Sequence, residues 1–79
     1  MFLLVIKMKK LENGKKIVVN LGKKFGNARV IALYEGVHDQ KDNTAVVKPV
    51  EVLGKSNWVL NLTINTLMIV DNKQILCEW

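Results

Sequence analysis

The fold is predicted most directly by residues 6–21, IKMKKLENGKKIVVNL. Asn13-Gly14 at its centre is the dipeptide most typical of a two-residue β-hairpin, because both positions of a type I′ turn need positive φ. Apolar and polar residues alternate over much of the sequence on either side, as expected of strands. We therefore predict a hairpin made of strands 2–12 and 15–21.

A single register of this hairpin separates an apolar face from a basic face. A turn at Asn13-Gly14 pairs Met8 with Val19, and a shift by one residue would exchange the two faces. The face predicted to fill the core carries Ile6, Met8, Ile17, Val19 and Leu21, with charged residues at its tip, Lys10, Glu12 and Lys15. The opposite face, predicted to meet solvent, carries Lys7, Lys9 and Lys16.

The rest of the chain also has the pattern of short strands separated by turn residues. These strands are predicted at residues 28–36, 44–53, 57–64, 66–71 and 73–78. We expect one all-β domain, residues 1–79, with about six to seven short strands in a small antiparallel barrel or sandwich of the SH3-like or OB-like kind. Pro49 cannot donate a ladder hydrogen bond, so we expect it at an edge or a bulge.

The C-terminal half carries two specific predictions about burial. Trp58 alternates with polar neighbours and is predicted to be a core residue. The last two strands are predicted to form a hairpin that turns at Asp71-Asn72 or at Asn72-Lys73, and the second turn is favoured because it aligns Val70 with Ile75. Since both faces of that hairpin are apolar, it is either central in the sheet or covered by a partner chain. The interface candidates are Leu67, Ile69, Leu76 and Trp79.

Length and composition restrict the class of protein. A chain of 79 residues with one cysteine has no internal disulfide to support a small core, which favours a reducing compartment and a cytoplasmic location. The apolar run at residues 2–6 is too short to span a membrane, so no membrane partner is expected. Cys77 is predicted to be a small buried apolar side chain.

Basic residues are concentrated in the first part of the chain. Residues 1–30 contain eight of the twelve Lys and Arg residues and one acid, Glu12, a net charge of +7. Residues 31–79 contain four basic residues and six acids, a net charge of −2. A basic region of this kind attracts nucleic-acid phosphates or an acidic protein surface. The nucleic-acid-binding candidates are Lys7, Lys9, Lys15, Lys16, Lys23, Lys24, Phe25 and Arg29.

The segment GKKFGNAR, residues 22–29, is the strongest binding candidate. Its glycines permit a tight loop, Lys23 and Lys24 can meet phosphates, and Phe25 can stack on a base as aromatic residues do in single-strand binders. In the alternative interpretation, the lysines keep exposed strands soluble and Phe25 closes one end of the barrel.

Catalytic and metal-binding motifs are missing from the sequence. The segment His38–Asn43 has the ligand types of a metal site but not the spacing of a calcium loop or a zinc site. We therefore expect no enzyme, no cofactor and no metal. The predicted function is a small basic all-β module that contacts nucleic acid through the Lys-rich N-terminal hairpin.

The alternative function is a protein-interaction or inhibitor module, of the kind encoded by phages and mobile elements, that acts through a sheet edge or an apolar patch. A homodimer is compatible with both functions, because pairing of sheet edges would cover the apolar C-terminal hairpin.

Overall fold

The computed structural model describes residues 11–55 and 57–79. The fold is mostly β, as predicted. The strands are β1 (Lys16–Asn20), β2 (Arg29–Asp39), β3 (Thr44–Leu53), β4 (Met68–Asp71) and β5 (Ile75–Glu78). A 3-10 helix η1 (Lys23–Phe25) joins β1 to β2, the helix α1 (Asn57–Thr63) joins β3 to β4, and a second 3-10 helix η2 (Asn72–Gln74) joins β4 to β5.

The five strands form one antiparallel sheet in the order β4-β3-β2-β1-β5. The strands β4 and β5 lie at opposite edges of this order, although only the three residues of η2 separate them in sequence. Three residues of 3-10 helix advance the chain by about 6 Å. The two edges must therefore approach each other at η2, which requires a strongly curved sheet.

Three irregularities in the β2–β3 ladder favour this curvature. At each irregularity one strand has a residue without a partner in the ladder: Val50 in β3, and Glu35 and His38 in β2. A bulge bends its strand and increases the local twist. Pro49 lies beside the first bulge, opposite Ala32, so the prediction of a bulge at this proline is confirmed.

The inner face of the curved sheet holds the core. Ile17 and Val19 are fully buried and Leu21 is nearly so, which confirms their prediction as core residues. The buried cluster consists of Ile17, Val19, Leu21, Ala28, Val30, Ala32, Tyr34, Ala45, Val47, Val59 and Val70. On the opposite face, Val18 and its partner Ile31 are also buried, at 6% and 2% exposure. The prediction that this whole face of β1 meets solvent is therefore wrong.

The predicted strand 15–21 is present as β1, but its predicted pairing with the strand 2–12 is wrong. Val18 pairs with Ile31 of β2 on one side and with Cys77 of β5 on the other. Both ladders of β1 are therefore occupied, and no edge remains for the predicted strand 2–12. Residues 2–10 of that strand, with Lys7 and Lys9, lie outside the described residues.

The geometry of the turn at Asn13-Gly14 explains this difference. The Lys15 N–H donates to the Glu12 carbonyl at 3.1 Å, so a turn is present. Gly14 has a φ of 88°, whereas Asn13 is not among the residues of positive φ. One positive φ at the third position is typical of a type II turn, whose twist does not suit a two-residue hairpin.

The predicted strand 57–64 is instead the helix α1. Val59 and Thr63 are its buried residues, at 0% and 3% exposure, and the Thr63 hydroxyl donates to the Val59 carbonyl at 2.8 Å. Trp58 is 53% exposed, so its prediction as a core residue is wrong. The inward positions are four residues apart, as in a helix, and the alternation around Trp58 is accidental.

The predicted C-terminal hairpin is also wrong, because β4 and β5 pair with other strands. Val70 of β4 pairs with Ala45, and Ile75 of β5 pairs with Val19. The described residues contain five strands; of the predicted strand 2–12, residues 2–10 lie outside them. Cys77 lies in a strand but is exposed, which contradicts its prediction as a buried residue.

Polar side chains fix η2 on both sides. Gln74 Oε1 accepts from the Asp71 N–H at 2.9 Å, and Gln74 Nε2 donates to the Asn20 carbonyl at 2.8 Å. On the other side, the N–H of Asn72 donates to the carbonyl of Asn43 at 2.9 Å, and their side-chain amides bond at 2.8 Å. The crossing is therefore attached to the end of β1 and to the β2–β3 turn.

We predict that Gln74→Ala lowers the free energy of unfolding by about 1–3 kcal/mol, because the Asn20 carbonyl and the Asp71 N–H lose their part-buried partner. Urea denaturation followed by circular dichroism measures the change. Lys73→Ala, at an exposed neighbour in the same turn, is the control and should change stability by less than about 0.5 kcal/mol. Equal stability of the two variants would contradict the role given to Gln74.

Candidate nucleic-acid interface

The predicted binding segment forms a short, internally hydrogen-bonded loop between β1 and β2. Gly22, at a φ of 92°, precedes η1, and Gly26, at a φ of 65°, ends it. The N–H groups of Phe25 and Asn27 both donate to the Gly22 carbonyl, at 3.0 and 2.8 Å. These bonds fix the loop backbone, while η1 leaves Lys23 and Lys24 exposed.

Phe25 connects this loop to the helix α1. Its side chain is half-buried and packs against the core cluster. Its ring also stacks on Trp58, with ring centroids 6.4 Å apart and an interplanar angle of 27°. Such an offset arrangement is favourable for aromatic pairs. The pair therefore presents the exposed indole of Trp58 on a partner that is held by the core.

Basic residues lie near the stacked pair in the sequence and at the adjoining end of the sheet. Lys23 and Lys24 directly precede Phe25, and Lys55 lies three residues before Trp58. Arg29 pairs with Leu53 at the end of the β2–β3 ladder, so the loops that contain the two aromatic residues leave the sheet side by side. The aromatic–basic site is defined here as Lys23, Lys24, Phe25, Arg29, Lys55 and Trp58.

The four cations of this site are exposed and free of ion pairs within residues 11–55 and 57–79. The ion pair found in that part of the chain joins Lys15 Nζ to Glu78 Oε1, at 3.4 Å. The nearest acid in the ladder is Glu51. It lies opposite Ile31, two residues after Arg29 in β2, and forms no ion pair with Arg29. The charge of the site is therefore available to an anionic ligand.

The other predicted basic residues lie elsewhere. Lys16 begins β1 and Asn20 ends it, a distance of about 13 Å along a strand. Lys15 and Lys16 are therefore separated from the aromatic–basic site by the length of β1, and Lys15 is paired with Glu78. Of the predicted set, the structure brings together Lys23, Lys24, Phe25 and Arg29.

The four predicted interface residues are all exposed, and they are divided between the two edge strands. Leu67 precedes β4 and Ile69 lies within it, at 63% and 57% exposure. Leu76 lies in β5 and Trp79 follows it, at 43% and 64% exposure. The Trp79 N–H donates to the Lys16 carbonyl at 2.9 Å, which places Trp79 at the Lys16 end of β1.

Sequence reasoning missed Lys55 and Trp58 as site residues. The strand-like alternation around Trp58 predicts a core residue, and Lys55 lies between the predicted strands 44–53 and 57–64. A signal was present, because Gly54, Lys55 and Trp58 repeat the combination of glycine, lysine and an aromatic residue that follows β1. Gly54 and Gly22 both have positive φ, so each combination begins at a turn.

No three His, Cys, Asp or Glu side chains of the described residues are grouped so that they could hold a metal ion. No helix in the same part of the chain is both long and apolar enough to cross a membrane. Comparison with protein-family models, curated proteins and solved structures finds no match.

Proposed function

We propose that this protein is a small, non-catalytic module that binds nucleic acid through the aromatic–basic site. The observation that carries the proposal is a stacked aromatic pair whose loops carry four exposed cations, none of which forms an ion pair among residues 11–55 and 57–79. Cations of this kind attract phosphates and release their counterions, which supplies most of the affinity in non-specific binding. The proposed contact lies on η1, the start of β2, and α1 with the connection before it, rather than on an N-terminal hairpin.

We further propose that the curved sheet is a partly open, SH3-like small barrel. The sheet order supports this, because the last strand returns to pair with the first while β4 pairs with β3. The three-residue crossing through η2 and the bulges of the β2–β3 ladder also favour a barrel over a flat sheet. The aromatic–basic site lies mostly on the connections between strands, where binding residues are disproportionately found, and Arg29 begins β2.

The number of cations sets the expected dependence of affinity on salt. Each phosphate contact on a single strand contributes about −0.7 to the slope of log K against log salt concentration. Contacts from all four cations would give a slope of about −3, which corresponds to a roughly fifty-fold loss of affinity between about 50 and 200 mM salt. A protein partner held by apolar contacts would show much less dependence on salt.

We predict that the combined variant Lys23→Gln, Lys24→Gln and Arg29→Gln reduces this salt slope in magnitude by about 2 and weakens binding more than about tenfold at low salt. The physical reason is the loss of three phosphate contacts. Fluorescence anisotropy of a labelled oligothymidine of about 12 nucleotides, within the range of known single-strand sites, measures both quantities.

The matched control is Lys15→Gln, Lys16→Gln and Lys48→Gln. Lys16 and Lys48 flank Leu33 across β2, away from the aromatic–basic site. Both triple variants lower the formal net charge from +5 to +2. The control should change the slope by less than about 1. An equal loss in both variants would show that net charge, rather than this site, produces the binding.

A second role, self-association, is favoured by the edge strand β4. Its ladder partner is β3, and among the described residues its other edge carries no strand. Leu67 and Ile69 are exposed at this edge, and the one charged residue of β4, Asp71, stands at its last position beside η2. Natural edge strands usually carry charges that prevent pairing. We propose that two copies pair β4 to β4 in a two-fold symmetric dimer.

We predict that the protein sediments as a dimer at micromolar concentration and that Ile69→Lys converts it to a monomer, because an ammonium group at the paired edge opposes association. Val37→Lys is the control, since Val37 is exposed to 59%, close to the 57% of Ile69, but lies in the internal strand β2. A monomeric wild-type protein, or equal dissociation of both variants, would remove the proposed dimer.

A further inference from the structure

We propose that the aromatic–basic site binds single-stranded nucleic acid by stacking an unpaired base on Trp58. This inference rests on the proposed function and adds the class of nucleic acid to it. Its starting point is the exposure of Trp58, 53%, next to a ring partner that is itself half-buried. A planar indole has two faces, and the stack with Phe25 occupies one of them.

The Trp58 indole is held in position by the packing of Phe25 on one side and of α1 on the other. Phe25 packs against the core, and the loop that carries it is closed by hydrogen bonds to the Gly22 carbonyl. On the other side, α1 is held to the sheet by the buried side chains of Val59 and Thr63. A platform that is already ordered loses little conformational freedom when a ligand binds.

The charges near the platform suit a flexible phosphate backbone. Lys23 and Lys24 precede Phe25 in η1, and Lys55 precedes Trp58 by three residues in the connection before α1. Cations from two separate connections are therefore available to the phosphates that neighbour a base on the indole. Aromatic stacking combined with basic residues is the usual arrangement in sequence-tolerant single-strand binding.

Duplex nucleic acid does not fit this arrangement. The faces of its bases are already covered by their neighbours, so an indole reaches one only after unpairing and unstacking. Stacking also makes no use of the 2′-hydroxyl group, which is the feature that distinguishes RNA from DNA. The site is therefore expected to bind single-stranded DNA and RNA with similar affinity.

Trp79 offers an internal comparison. It is also exposed, at 64%, but lies at the Lys16 end of β1, where Lys15 is paired with Glu78. Among the described residues the stacked ring pair is Phe25 with Trp58, and Trp79 takes no part in it. A comparison of the two tryptophans therefore distinguishes the effect of an indole in the proposed site from the effect of an exposed indole elsewhere.

The test compares Trp58→Leu with Trp79→Leu in binding of an oligothymidine of about 12 nucleotides. Trp58→Leu should weaken binding by about 5- to 150-fold, the equivalent of about 1–3 kcal/mol per stacked base, and leave the salt slope unchanged. Trp79→Leu should weaken binding less than about twofold, and the fluorescence of its remaining Trp58 should be quenched by the oligonucleotide.

Three further ligands and one variant complete the test. An abasic strand of equal length and the corresponding duplex should each bind at least about fivefold more weakly than oligothymidine, and oligouridine should bind within about threefold of it. Trp58→Phe retains an aromatic face and should recover most of the affinity lost in Trp58→Leu. This recovery would distinguish stacking from a loss of folded protein.

Several outcomes would overturn the inference without affecting the proposed function. The first is equal binding of abasic and normal strands, the second is equal binding of duplex and single strand, and the third is an equal loss of affinity in Trp58→Leu and Trp79→Leu. In each case the proposed function stands if binding still depends on salt and still requires Lys23, Lys24 and Arg29. A strong preference for one sugar would overturn the claim of sugar tolerance. If none of the oligonucleotides binds, the proposed function fails together with the inference.

Discussion

The structure depends on one constraint, the three-residue crossing that joins opposite edges of the sheet. Because η2 is so short, the sheet must curve until the ends of β4 and β5 are close. The amide side chains of Gln74, Asn72 and Asn43 hold this crossing in place. As a consequence β5 occupies the second edge of β1, and β1 becomes an internal strand of the sheet.

The candidate site follows from the same architecture. Since β1 and β2 are internal, the loop between them lies at one end of the sheet, beside the loop that follows β3. Phe25 belongs both to the core and to the surface, because it packs on the buried cluster and stacks on Trp58. A structural role for Phe25 and a binding role for the loop are therefore compatible, although the sequence presented them as alternatives.

Local patterns in the sequence predicted the parts of the fold that depend on neighbouring residues. The bounds of β3 agree with the predicted strand 44–53, Pro49 lies at a bulge, and Ile17 and Val19 face the core. These features follow from strand periodicity and from the missing N–H of proline. The cluster of Lys23, Lys24 and Arg29 could also be predicted from the sequence, because its members are close together in the chain.

The errors arose where distant residues decide the structure. The Asn13-Gly14 signal is local, but β1 takes its partners from β2 and β5, which no short segment reveals. The pattern of apolar and polar residues over 57–64 is compatible with a strand or a helix. The helix is the observed structure because it buries Val59 and Thr63, four residues apart. The strand pattern therefore predicts the wrong environment for Trp58 and does not reveal this half of the aromatic pair.

The most direct measurement of the central claim is an NMR titration of the ¹⁵N-labelled protein with a short oligothymidine. The two indole N–H signals, from Trp58 and Trp79, report on opposite ends of β1 in one sample. Our account predicts that the Trp58 indole and the amides of the Gly22–Asn27 loop shift, while the Trp79 indole and the amides of Lys15 and Lys16 stay in place. Shifts at Trp79 and Lys16 with none at Trp58 would contradict it.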